Sequence, residues 1–126
     1  MSINKSIVMD QGTDFIWSFT VEVKTDPNLP YDCDTNPYIP LDLSSYTASF
    51  VMAADHTSTP LITLSSPGSI ILGSDGSVQV IFAPGDTSSI VITEDEFIGV
   101  FELQIHQSSL TRRPVNGPFI LKPELV

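Results

Sequence analysis

Residues 15–23 read "FIWSFTVEV", and their side chains alternate. Phe15, Trp17, Phe19, Val21 and Val23 share one face; Ser18, Thr20, Glu22 and then Lys24 share the other, with Ile16 the exception. Successive Cβ atoms of an extended chain point to opposite sides, so a period of two marks a long, half-buried β-strand.

The same period recurs along the chain. "KSIVM" predicts a short first strand, with Asp10, Gln11 and Gly12 as its turn. From Tyr46 onward, Ala48, Phe50 and Met52 face one way while Thr47 and Ser49 face the other. "PLITLSS" gives a strand carrying Leu61 and Ile62. In "PGSIILGSDGSVQVIFA", Ser74-Asp75-Gly76 forms a hairpin turn, because Gly76 can take the positive φ a tight turn requires. Val78, Val80 and Phe82 then point inward, as do Phe97, Gly99, Phe101, Leu103 and Ile105 further on. "PFILKPEL" supplies a last strand, which Pro123 bars from continuing in a central position.

Two segments break the alternation. Pro84 fixes φ and Asp86 can cap the amides that follow, so residues 84–91 read as one short helical turn between strands. Residues 25–40, "TDPNLPYDCDTNPYIP", hold four prolines and no periodicity, which predicts a long surface loop. No stretch sustains a helical period over ten residues. The expected fold is therefore all-β: an Ig-like, two-sheet antiparallel β-sandwich with one short helical turn, spanning residues 1–126 as a single domain. A chain of 126 residues can bury roughly two thirds of its unfolded surface, enough for a core without disulfide or metal.

Charge narrows the partners. Fifteen Asp and Glu against five Lys and Arg give a net charge of −10. Nucleic-acid binding requires clustered cations, and an anionic membrane surface would repel this chain, so neither partner is expected. No apolar run approaches the roughly 18 residues of a transmembrane helix, and the N-terminus lacks a signal-peptide pattern. Met1 suggests a complete chain made in a cytoplasm. Cys33 is the only cysteine, so no internal disulfide can form; its acidic neighbours disfavour the thiolate.

Each candidate chemistry has a plainer competitor. Asp32, Asp34 and Asn36 match the first three ligand positions of an EF-hand loop. The pattern then fails, with Pro37 where Gly is needed and Leu43 where a bidentate Glu is needed. A solvated loop feeding a strand is the better reading, and no metal is expected. His56 and His106 have no companions at zinc-ligand spacing. There is no nucleophile elbow, and the run Glu94-Asp95-Glu96 reads as a solvated turn. No catalytic residue and no cofactor are expected. Trp17, Tyr31, Tyr38 and Tyr46 could form a sugar-stacking platform, but Trp17 lies on the inward face of the longest strand. Tyr31 and Tyr38 lie in the proline-rich loop, where no core needs them, and are candidate interface anchors. Arg112 and Arg113, the only basic pair, join them as candidate interface residues.

The order of motifs resembles a known family. "IPLDLSSYTASFVM", residues 39–52, resembles a "pv-DLTGytarmqvR" segment of small β-sandwich virion proteins of tailed bacteriophages. Those proteins occur in tail and baseplate structures, among them the N-terminal domain of baseplate upper proteins. Gln11, Gly12, Phe15 and Phe19 resemble that family's opening; "GSDGSVQVIFAPGDTSSI" resembles its hairpin and Thr-containing short helix. Gly99, Phe101, Leu103 and Ile105 resemble its next strand, and "NGPFILKPEL" its close. The likeness covers nearly the whole chain, and every motif in it is a packing motif. Two departures stand out: a longer loop from Thr25 to Pro40, and Ala53-Ala54 where a basic residue often stands.

The resemblance implies a non-enzymatic structural protein of a tail, baseplate or fibre attachment apparatus, made in the host cytoplasm and resident in the virion. Its implied partners are other virion structural proteins, in a homo- or hetero-oligomer on a symmetric particle. A carbohydrate-binding module touching the host surface is the alternative, and a calcium-dependent adhesion domain the third reading.

Overall fold

Alternation in the sequence becomes two facing sheets in the computed structural model, which describes residues 3–108 and 110–123. The elements are β1 (Ile3–Asn4), β2 (Ile7–Asp10), β3 (Phe15–Thr20), β4 (Glu22–Lys24), β5 (Tyr38–Pro40) and β6 (Thr47–Ala53). There follow β7 (Ile62–Ser65), β8 (Ile70–Leu72), β9 (Ser77–Phe82), α1 (Pro84–Ser88), β10 (Phe97–Gln107) and β11 (Leu110–Lys122). One sheet runs β11-β10-β6-β7, with β1 and β2 added on the outer edge of β11. The other runs β3-β9-β8, and β4 pairs with β5 in a small third sheet. The chain crosses repeatedly between the two large sheets, which gives an Ig-like sandwich. Pairing is antiparallel except at the N-terminus, where β1 and β2 both run parallel to β11.

The core lies where the inward positions meet. Phe50, on β6, stacks on Phe101 at 5.5 Å and meets Phe82 of the opposite sheet edge-on at 5.3 Å. Phe119 closes on Phe82 at 5.8 Å. Phe50, Phe82 and Phe119 are fully buried, and each such burial is worth about 1.5–3 kcal/mol. The cluster extends continuously through Leu103, Ile105, Val78 and Val80.

The expected helical turn is present, shortened to Pro84–Ser88. Asp86 caps it in the opposite sense to that expected: its carboxylate accepts the N–H of Ala83, before the helix, at 2.7 Å. The helix is held to the β2–β3 turn. Gln11 Nε2 donates to the Ile90 carbonyl at 2.7 Å, and the Gly12 N–H donates to Thr87 Oγ1 at 2.9 Å. Gly12 sits at φ 75°, a conformation that glycine adopts without steric cost.

Three further expectations need correction. The strand predicted across residues 15–23 is broken at Val21, which donates to Gly76 O at 2.8 Å and accepts from Leu41 N at 2.9 Å. Those two bonds turn the chain out of the β3 sheet and into β4. Gly76 allows the approach: it has φ 82°, and a Cβ there would stand 2.7 Å from the Val21 carbonyl oxygen. Second, residues 25–40 are not structureless, since β5 lies within them and pairs with β4. Third, the last strand begins at Leu110 and not at Pro118. Its prolines are accommodated locally. Pro114 falls where the register with β10 slips, and Pro118 falls between the stretches covered by β1 and by β2.

Candidate docking cleft

Residues 25–37 form an excursion built around one buried amide. Asn36 is only 3% exposed. Its Oδ1 accepts the Asp26 N–H at 2.7 Å, and its Nδ2 lies within 3.1 Å of the carbonyls of Asp26, Leu29 and Pro30. Paired backbone bonds between Asp32 and Asn36 close the tip. At the base, Thr25 bonds Pro37 through both its N–H and its hydroxyl. A buried amide must find partners or lose about 1–3 kcal/mol, so these bonds fix the excursion's shape from inside.

That shape brings Tyr31 and Tyr38 together. Their rings stack at 4.7 Å with planes 18° apart, and both remain exposed. Across from them lies the start of β11. The ladder pairs Leu103 with Val115, then Ile105 with Arg112, so β11 carries one extra residue there. The bulge exchanges the two faces of the strand. Arg112 is thereby set opposite Ile105, on the side of the tyrosines. Arg113 turns to the outer face, where its Nε donates to Glu102 at 3.2 Å, the only ion pair among the described residues.

A cleft results. One hollow of about 310 Å³ lies between Glu22, Val23, Lys24, Pro27, Tyr31, Tyr38 and Arg112. A second, of about 380 Å³, lies between residues 19–23 and residues 110–114. They share Glu22, Val23 and Arg112. Of the four candidate interface residues, Tyr31, Tyr38 and Arg112 line this double cleft together, whereas Arg113 borders the second hollow from β11 with its guanidinium held by Glu102 on the outer face. Lys24, which the linear pattern assigned only to the polar face of a strand, also lines the cleft. Of the five cations, Lys5, Lys24, Arg112, Arg113 and Lys122, two, Lys24 and Arg112, line the tyrosine hollow on a chain of net charge −10.

The other candidates lie elsewhere. The ligand atoms of Asp32, Cys33 and Asp34 are within 4.8 Å of one another and exposed. The Asp32 carboxylate already accepts the amides of Asp34 and Thr35, which hold it below the usual carboxylate pKa of 3.8. Asn36, the third position of the partial calcium pattern, is turned inward and engaged by the loop itself. His106 bridges Thr111 Oγ1 at 3.1 Å and Ser49 Oγ at 3.3 Å, and His56 is exposed. Glu94, Asp95 and Glu96 are exposed ahead of β10. Trp17 packs edge-on against Phe101 at 5.4 Å, half-buried, and Tyr46 packs against the core.

No family model and no curated protein matches the chain significantly. Among solved structures it is similar to murine CRIg, with 11% identity and a TM-score of 0.33, over 95% of this chain and 92% of that one. The Ig-like assignment rests on the strand order of the chain itself, five β-strand pairings deep in the larger sheet and two in the smaller.

Proposed function

We propose that this chain is a non-enzymatic structural component of a tailed-phage virion, placed in the tail, baseplate or fibre attachment apparatus, where it docks neighbouring subunits. The observation that carries the docking role is the convergence of Tyr31, Tyr38 and Arg112 on one cleft, with Arg113 beside it on the outer face. Exposed aromatics and arginines are the side chains that anchor interfaces, and here they stand on a hydrogen-bonded support rather than a loose loop. The virion assignment draws on the order of packing motifs along the sequence. Two of those motifs bind one another in space, since Gln11 and Gly12 clasp the helix that carries Thr87. On a symmetric particle many copies act together, so modest single contacts sum to firm attachment.

A carbohydrate-binding role is the second reading. The exposed Tyr31–Tyr38 stack favours it, while the packing of Trp17 against Phe101 removes the largest aromatic from any sugar platform. Mass spectrometry of gradient-purified virions from the source lysate tests the first reading. The chain is expected in the particle at a fixed ratio to the other structural proteins. Its presence only in the soluble fraction would refute the virion role.

A further inference from the structure

We infer that the slot between residues 19–23 and residues 110–114 receives an extended acidic peptide segment of a different chain, which adds a strand along the uncovered edge of β11. This rests on the docking role proposed above and names the kind of partner.

The slot lies between two strand edges that no strand covers among the described residues. On its outer side β11 is paired by β1 at Val115 and Asn116 and by β2 from Phe119 to Lys122. Residues 110–112 pair with β10 on one side, residues 113 and 114 form the bulge, and on the other side no strand pairs with 110–114 among the described residues. In an antiparallel ladder alternate residues direct their N–H and C=O groups away from the partner, so this stretch offers unpaired groups to an incoming backbone. On the facing wall, β3 pairs only with β9. The consequence shows in burial: Phe15, Trp17 and Phe19 occupy inward positions yet are only half-buried. A strand laid in the slot would cover Phe19 and meet Leu110, which is 46% exposed.

Charge selects the occupant. Arg112 lines the slot, and Lys24 stands at its continuation beside Tyr38, while the Arg113 guanidinium is turned to Glu102 on the outer face. Glu22 is the one carboxylate on either wall of it. An acidic segment alternating with apolar residues satisfies both sets of groups: apolar side chains against Phe19 and Leu110, carboxylates toward the guanidinium of Arg112. A second copy of this chain fits less well. Each copy carries a net charge of −10, and its exposed acidic run, Glu94-Asp95-Glu96, is consecutive rather than alternating. A glycan would leave the free strand edges without a matching ladder of donors and acceptors.

The test is selection from a random twelve-residue peptide display library on the intact protein, followed by titration of the enriched peptides by calorimetry. Enriched sequences are expected to alternate Asp or Glu with apolar residues and to protect the amides of residues 110–113 from hydrogen exchange. Arg112→Glu, at an exposed position outside the core, is expected to weaken binding at least tenfold without moving the thermal midpoint. Lys24→Glu gives a second, independent charge reversal with the same expected direction. Selection of basic or patternless peptides, protection elsewhere, or binding indifferent to both reversals would overturn the inference. So would an oligogalacturonate that binds through Arg112 while no acidic peptide is selected, or a dimer in sedimentation that Arg112→Glu dissolves. Presence in virions with a failed selection would refute the slot alone; selection with absence from virions would refute the virion role alone.

Discussion

Ile105 on β10 stands opposite Arg112 on β11, and not opposite Arg113. In an unbroken ladder below the Leu103–Val115 pair, Arg113 would hold that place. The extra residue beside Pro114 therefore decides which arginine looks toward Tyr31 and Tyr38 and which one pairs with Glu102. One backbone irregularity thus assigns two adjacent, chemically identical side chains to different surfaces. The exposed Arg113–Glu102 pair itself contributes little to stability, on the order of 0–1 kcal/mol before screening by salt.

Phe50→Ala is expected to destabilise the protein by about 3–5 kcal/mol, because a stack on Phe101 and an edge contact with Phe82 are lost and a cavity remains. Urea unfolding measures it. A loss below 1 kcal/mol would mean that the sheets do not meet at this ring.

Asn36→Ala removes the amide around which residues 25–37 are arranged. The expected cost is about 1–3 kcal/mol, concentrated in the excursion. Hydrogen exchange should show the Asp26 amide losing protection while the amides of β10 keep theirs. Uniform loss across both would contradict a locally organised excursion.

Thr87→Val leaves the Gly12 N–H without its acceptor while preserving side-chain shape. Thermal unfolding should report a loss of about 1–3 kcal/mol. Gln11→Ala should act on the same clasp, so the double variant is expected to cost less than the two single losses added together.

Four exposed aspartates act as turn acceptors. Amide donors lower the carboxyls of Asp32 (from Asp34), Asp42 (from Ser44) and Asp55 (from Thr57); the Ser77 hydroxyl and then its amide lower Asp75. Their folded values lie below the unfolded value, so the turn stabilisation is complete above about pH 4 and disappears as pH falls through the folded values. Carbon-detected NMR titration should place the Asp55 midpoint below 3.8, and Asp55→Asn should flatten the acid limb of the thermal midpoint. A midpoint at or above 3.8 would contradict the turn geometry.

The sandwich was legible because burial follows alternation: Phe50, Met52, Phe101, Leu103 and Ile105 lie inward as their spacing requires. The break at Val21 was not legible, since a buried valine continues the alternating pattern while its backbone bonds go to Gly76 and Leu41. Nor was the start of β11, where Pro114 and Pro118 argue against a strand unless the bulge and the edge gap are known. Tyr31, Tyr38, Arg112 and Arg113 could each be named from local context. The meeting of Tyr31, Tyr38 and Arg112 could not, because it depends on a register slip and on an asparagine that composition marks as a turn residue.

Because Asn36 fastens the excursion from within, the outward positions at its rim carry little of the fold's stability. Asn28, Leu29 and Asp34 are exposed, and their side chains can change without unseating the tyrosine stack. Under the docking role proposed above, exchanging a few residues at this rim would change the mate while the scaffold beneath stays as it is.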